Sequence, residues 1–240
     1  MIINIYYYLM ISIVIPIWFI IPSLFSIVWF GFNSRFLEYS IKLSVEYLLQ
    51  PIYIIKGNPL IKNGIILSNH ISIYDAYFDI YAHKCEGIAR YLFAVAMLFS
   101  GLLGYIENYG IYINRNTIKS KELVLKIINK IENSENNVLL YPEGTRKKYY
   151  IDKSIKIDKE LIQNNIKYGT LLEIYRNQKL NNTPIQIVIT LNKEKISEQL
   201  YCYRSKDFYP KDFESQELYL EHILNEWILC YHQAFTLLHS

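Results

Sequence analysis

No charged side chain occurs between residues 1 and 32, and the first, Arg35, arrives only after a long series dominated by Ile, Leu, Val, Phe, Tyr and Trp. This run constrains the fold more than any other feature. A soluble helix of that length carries a polar face, whereas a membrane-embedded one does not. As one straight helix it would measure roughly 45–50 Å at about 1.5 Å per residue, more than the ~30 Å hydrocarbon layer. Pro16 and Pro22 each remove a backbone donor inside it, so the sequence predicts a kinked single span or a hairpin of two short helices dipping into one leaflet. A cleaved secretory leader is disfavoured, because no basic stretch precedes the apolar run and no small-x-small site ends it. Arg35 and Lys42 on its carboxyl side place the remainder of the chain toward the cytosol. Residues 36–49 set Phe36, Leu37, Ile41, Leu43, Val45 and Leu48 among Glu38, Lys42 and Glu46, as an amphipathic helix on a membrane surface would. The division expected is residues 1–49 as anchor and lead-in helix and residues 50–240 as one domain.

The rest of the composition excludes several classes. With 25 Lys+Arg against 22 Asp+Glu, and no basic block interleaved with aromatics, there is no electrostatic footprint for nucleic acid. The 3 cysteines, Cys85, Cys202 and Cys230, are odd in number and widely separated, so neither a disulfide framework nor a zinc site is expected. A reducing compartment fits. With 240 residues, of which 52% are hydrophobic, one sizeable core can form.

Beyond the lead-in helix, short apolar runs predict strands at residues 51–56 (PIYIIK), 64–67 (GIIL), 110–113 (GIYI), 138–141 (VLLY) and 184–191 (PIQIVITL). Between the third and fourth, Leu123, Val124, Ile127, Ile128 and Ile131 recur at helical spacing across residues 120–132. Strand, helix, strand at these lengths implies an α/β fold with a mixed, largely parallel sheet flanked by helices. Near the carboxyl end, Leu218, Leu220, Ile223, Leu224, Trp227, Ile228, Tyr231 and Phe235 form an apolar helical stripe, expected to pack on the domain, with membrane contact as the alternative. His222, His232 and His239 are expected at the surface, and His83 and Cys85 show no evident partner.

Ligands in such sheets collect at the carboxyl ends of strands, which selects three polar groups for attention. Asn69, His70 and Asp75 follow the second strand, Asn114 and Arg115 the third, and Pro142, Glu143, Gly144, Thr145 and Arg146 the fourth. A single histidine or arginine says little, since either is usually structural. The ordered combination Asn69-His70-x4-Asp75, then residues 110–115 (GIYINR), then residues 141–146 (YPEGTR) is far more specific.

Those blocks resemble the glycerolipid acyltransferase family typified by lysophosphatidic acid acyltransferase. The likeness spans about residues 51–193. It is nearest the membrane-anchored eukaryotic branch that includes lysocardiolipin and lysophosphatidylinositol acyltransferases, as Arg90-Tyr91, the GIYINR stretch, Gly169 and the strand at residues 185–191 also indicate. The resemblance implies that His70 is a general base taking the proton of an acceptor hydroxyl, which attacks the thioester of acyl-CoA, and that Asp75 fixes its tautomer. It further implies that Arg115 and Arg146 bind the acceptor phosphate, that Glu143 positions the glycerol part, and that Gly144 permits close backbone approach, with Thr145 in the same substrate loop. No Gly-x-Ser-x-Gly elbow occurs, consistent with direct attack by the acceptor.

No metal or bound cofactor is implied; acyl-CoA is a co-substrate. The partners implied are acyl-CoA, a lysophospholipid or glycerol-phosphate acceptor and membrane lipid, and the family's usual location is the endoplasmic reticulum. Two departures bear on the acceptor. Residues 93–104 (FAVAMLFSGLLG) lack the lysines and proline usual in this branch, and Ile166, Lys167 and Tyr168 stand near the place of its Pro-Arg-Thr segment. The resemblance implies lysophosphatidic acid as the leading acceptor, with lysophosphatidylinositol, lysocardiolipin or glycerol 3-phosphate as alternatives. A non-catalytic lipid-binding scaffold is the contrasting reading.

Overall fold

The structure is a computed structural model that describes residue 46 and residues 51–72, 75–90, 111–113, 118–152, 155–194 and 199–240. The expected anchor, all of the lead-in helix except Glu46, the apolar stretch 93–104, and Asn114 and Arg115 lie outside the described residues. Among the described residues, no helix is long and apolar enough to cross a membrane. The chain divides into two compact units, Met1–Gln50 with Ile88–Thr117, and Pro51–Gly87 with Ile118–Ser240.

In the second unit, strands β1 (Ile52–Gly57), β2 (Ile65–Ser68), β3 (Cys85–Arg90), β5 (Asn137–Leu140), β6 (Ile185–Leu191) and β7 (Gln199–Arg204) form a sheet in the order β1-β7-β6-β2-β5-β3. Every neighbouring pair is parallel except β6 and β7, the mixed, largely parallel arrangement expected. Only Cys85–Gly87 of β3 belong to this unit; its last residues, Ile88–Arg90, belong to the first unit and pair there in parallel with β4 (Ile111–Ile113), Ile88 facing Ile111. All residues of β2, β5 and β6 are buried, which is why their sequences are near-continuous apolar runs rather than alternations.

Five strands lie within a residue of their predicted positions. The sequence reading missed β3 and β7, in which polar and aromatic residues interrupt the apolar signal. In β7 only Leu200 and Cys202 are fully buried. On one face of the sheet Ile66, Leu139, Val188 and Cys202 cluster with Cys85 and Ile61, as the two-residue period of pleated strands requires.

Helix α2 (Ser120–Asn133) buries Leu123, Val124, Ile127 and Ile128, the face its spacing predicts. Helices α1 (Asp75–His83), α3 (Lys159–Asn165) and α4 (Tyr168–Arg176) are additional to the sequence reading. The long α5 (Gln216–His239) packs on β6 and β7, so the packing alternative holds for its apolar stripe. The stripe is rotated from the one expected. Tyr219, Ile223, Leu224, Trp227, Cys230 and Ala234 are buried, whereas Leu218 is 49% exposed. His222 is not a simple surface residue: it is half-buried, its ring 4.7 Å from Phe208 and 5.0 Å from Phe213. Because β2, β5 and β6 run parallel, the segments leaving their carboxyl ends emerge along one edge, and there the candidate residues meet.

Candidate active site

Asn69, directly after β2, extends the β2–β6 ladder with its side chain. Its Nδ2 donates to the carbonyl of Thr190 at 3.0 Å and its Oδ1 accepts from the Thr190 N–H at 2.9 Å. This clamp fixes the point from which His70 departs. Asp75, the first residue of α1, returns to His70 and places Oδ2 2.9 Å from Nδ1. The same carboxylate accepts from the backbone N–H of Ile71 and, at 2.9 Å, from that of Ser72, so the two residues that follow His70 bind the anion through their backbone. A carboxylate at a helix N-terminus is also favoured by the helix dipole.

Burial pushes the Asp75 carboxyl up, but Lys193, the hydrogen bond and charge of His70 and the Ile71 N–H outweigh it and leave the pKa below the ordinary carboxylate value. An ionised Asp75 on Nδ1 selects the tautomer with its proton there and the lone pair on Nε2. Among the described residues Nε2 has no hydrogen-bond partner, and the side chain is 21% exposed. The Tyr141 ring stacks on the imidazole with centroids 4.6 Å apart and planes at 19°.

The segment after β5 is tied to His70 on both sides. Glu143 Oε2 accepts from the His70 N–H at 3.0 Å, and the Lys147 N–H donates to the His70 carbonyl at 2.7 Å. Between these tethers Thr145 and Arg146 are exposed. The turn is made by Gly144, whose φ of +67° suits glycine and whose N–H donates to the Tyr141 carbonyl at 2.9 Å.

Glu143, expected to face substrate, is 1% exposed. Its Oε1 accepts from the hydroxyls of Tyr149 and, at 2.9 Å, Tyr150, which in turn accepts from Trp227 Nε1 of α5 at 2.9 Å. Both oxygens thus serve the protein, and the residue acts as a strut between α5 and the His70 backbone. Burial raises its pKa, opposed without being overcome by the Tyr149, His70 and Tyr150 donors and the Lys147 charge.

Two residues of this assembly were missed by sequence reasoning. Lys193, just beyond β6, is fully buried, and its Nζ donates to the Asn69 carbonyl at 2.7 Å and to Asp79 Oδ2 at 3.0 Å while lying 3.8 Å from Asp75 Oδ2. Asp79 Oδ2 also accepts from Ser68 Oγ at 3.0 Å and Tyr141 OH at 2.8 Å. A signal for Asp79 was present, since it stands four residues after Asp75 and so shares a helix face with it. His83, without evident partner in sequence, has Nε2 3.8 Å from Asp79 Oδ1 and Nδ1 3.2 Å from an Arg204 nitrogen. The structure therefore brings together His70, Asp75, Glu143 and Gly144, with Thr145 and Arg146 exposed on the tethered loop.

The sequence profile of the family described as Acyltransferase matches residues 51–174. That span holds His70, Asp75, Arg115 and the whole of the Glu143–Arg146 block, and stops short of Lys193. Among solved structures, the crystal structure of PlsC, the 1-acyl-sn-glycerophosphate (LPA) acyltransferase of Thermotoga maritima, is similar with a TM-score of 0.64 at 18% identity, over 98% of this chain and 95% of that one. At such identity the likeness is one of fold. No curated protein matches the chain.

Proposed function

This chain belongs to the acyltransferase family, and on that premise we propose that it transfers a fatty acyl group from acyl-CoA to the free hydroxyl of a lysophospholipid at a membrane, lysophosphatidic acid being the leading acceptor. The observation that carries the reading is the His70–Asp75 pair, with Nδ1 held 2.9 Å from an ionised carboxylate and Nε2 left to accept a proton.

In the reaction, Nε2 takes the proton of the acceptor hydroxyl as its oxygen attacks the thioester carbonyl. The tetrahedral intermediate collapses with cleavage of the C–S bond, and the imidazolium returns the proton to the departing thiolate. The acceptor oxygen is itself the nucleophile, so no acyl-enzyme forms. Asp75 stabilises the imidazolium as it develops. Arg146, exposed on a loop tethered to the His70 backbone on both sides, is assigned to the acceptor phosphate; Arg115 is assigned there on the family resemblance alone. The uncharged residues 1–32 would hold the enzyme where its lipid acceptor resides, with the endoplasmic reticulum and a cytosolic catalytic face as the proposed setting.

The test is incubation of purified full-length protein with labelled oleoyl-CoA and a panel of lysophosphatidic acid, lysophosphatidylinositol, monolysocardiolipin and glycerol 3-phosphate. Label should enter a phospholipid product with lysophosphatidic acid. Transfer to another member alone would reassign the acceptor, and transfer to none would favour a scaffold.

A further inference from the structure

Beneath the proposed base lies a buried charge cluster that takes no direct part in the acyl-transfer steps. The ammonium of Lys193 is fully buried between the carboxylates of Asp75 and Asp79, 3.8 Å from one and 3.0 Å from the other. A buried ion pair is a weak source of stability, because well-packed apolar residues of similar volume commonly do as well. This one has a further property: its cation lies behind the carboxylate that orients His70. Asp79 keeps the cation there: burial and the Asp75 charge raise its pKa, the Lys193 charge and the Lys193 and Tyr141 donors oppose that rise, and Ser68, Tyr141 and Lys193 all donate to one of its oxygens.

We propose that Lys193 and Asp79 are positioning residues for the His70–Asp75 pair: Lys193 offsets part of the Asp75 charge from behind, Asp79 seats Lys193, and both act on His70 through its carboxylate partner. The proposal rests on the reading of His70 as base. The other titratable groups facing the cluster do not compete for this role. Burial pushes the Tyr141 phenol and the Cys85 thiol well up and Cys202 to about 11, while burial, Arg204 and Lys193 together push His83 well down. All four are neutral near pH 7, and Arg204, which donates to His83 and the Ala82 carbonyl, lies one residue further out. Glu143 and Lys147 bond to His70 only through its main chain.

The experiment is an NMR titration of the full-length protein in detergent micelles with isotope-labelled histidine, the His70 signal being assigned by its loss in His70→Gln. Asp79→Asn preserves shape but removes one negative charge, so the His70 midpoint should fall by on the order of one pH unit at an effective dielectric near 20. Adding Lys193→Met to that variant removes the positive charge and should return the midpoint toward wild type. The acid limb of kcat/KM should follow both moves, with kcat of Asp79→Asn roughly three- to tenfold lower and KM for acyl-CoA unchanged.

An unmoved midpoint in Asp79→Asn, or one that the second substitution does not bring back, overturns the proposal. A midpoint that moves as stated while the acid limb of kcat/KM stays fixed supports the coupling and refutes His70 as base, so the two failures are distinguishable. Should the variants not fold, wild-type protein with isotope-labelled lysine decides. The slowly exchanging Lys193 ammonium should show an inflection at the His70 midpoint, and a flat response overturns the coupling.

Discussion

Asp75 Oδ2 receives both His70 Nδ1 and the backbone N–H of Ile71, so one carboxylate oxygen orients the imidazole and holds the backbone of the residue that follows it. His70→Ala should therefore abolish acyl transfer without altering expression or membrane association, since the imidazole is needed for chemistry and not for anchoring. Asp75→Asn should keep a small residual rate, about 10²- to 10⁴-fold below wild type in kcat, because the histidine remains while its orienting charge is gone. Initial rates at saturating substrates check both. Near-normal turnover in either variant would remove the proposed base or its partner.

Asp75 also predicts how stability responds to acid. Its folded-state pKa lies below the ordinary value, so its contribution is fully present above the unfolded pKa of about 3.9 and is lost as pH falls through the folded value. Thermal unfolding of wild type should worsen more steeply below about pH 4.5 than that of Asp75→Asn, which has no charge to lose. Parallel curves would show that the carboxylate is not differentially stabilised on folding.

The sequence disclosed the parts of the fold in which burial leaves a one-dimensional trace. Strands β2, β5 and β6 are buried throughout and read as apolar runs, and α2 presents its buried face at regular helical intervals. Helix α1 left no such trace, because Asp75, Asp79 and His83 on its buried side are polar groups satisfied by tertiary partners. Lys193 was invisible for the same reason. A lysine in the segment Lys193-Glu194-Lys195 looks like a solvated turn, and only the return of β6 beside β2 places it under His70. Glu143 was legible as part of the motif but not as a strut, since Tyr149, Tyr150 and Trp227 become its neighbours only when α5 packs.

Glu143 separates that structural role from the substrate contact implied by family resemblance. Glu143→Gln can keep an acceptor oxygen toward the His70 N–H and offer its amide to the tyrosine hydroxyls, so acceptor KM and kcat should stay near wild type. Glu143→Ala strands three donors in a buried place and should cost about 3 kcal/mol or more of stability, with activity falling alongside. The raised pKa of Glu143 means that its protonated form favours the fold, a contribution present below about pH 4.3 and lost as pH rises through the folded value. Gln mimics that form, so the variant should gain on wild type toward neutral pH in thermal unfolding. A large rise in acceptor KM for Glu143→Gln with unchanged stability would instead place the side chain on the substrate.

Removing residues 1–32 should release much of the protein from membranes, because that segment holds most of the uninterrupted apolar length in the chain. Carbonate-washed membranes compared between full-length and truncated protein give the answer. Equal retention would move the anchor elsewhere, with residues 93–103 or α5 as the next segments to delete.

The phosphate contact distinguishes an acceptor bearing a phosphate from a neutral one. Arg146 is exposed on a loop bonded to the His70 main chain on both sides, so its guanidinium fork is available for bidentate bonds to phosphate oxygens. If Arg146 and Arg115 hold the acceptor phosphate, replacing either by Ala should weaken use of the acceptor far more than use of acyl-CoA. Losing one partner of a charge-assisted bond costs about 1.5–3 kcal/mol, or roughly 10- to 150-fold in acceptor kcat/KM. Arg→Lys at each position should fall between wild type and Ala, because a point charge restores attraction without the two-pronged geometry. Steady-state kinetics with acceptor and acyl-CoA varied separately measure this split. Equal losses toward both substrates would assign the arginines to the fold or to the phosphates of CoA, and the lysophosphatidate reading would lose its electrostatic basis.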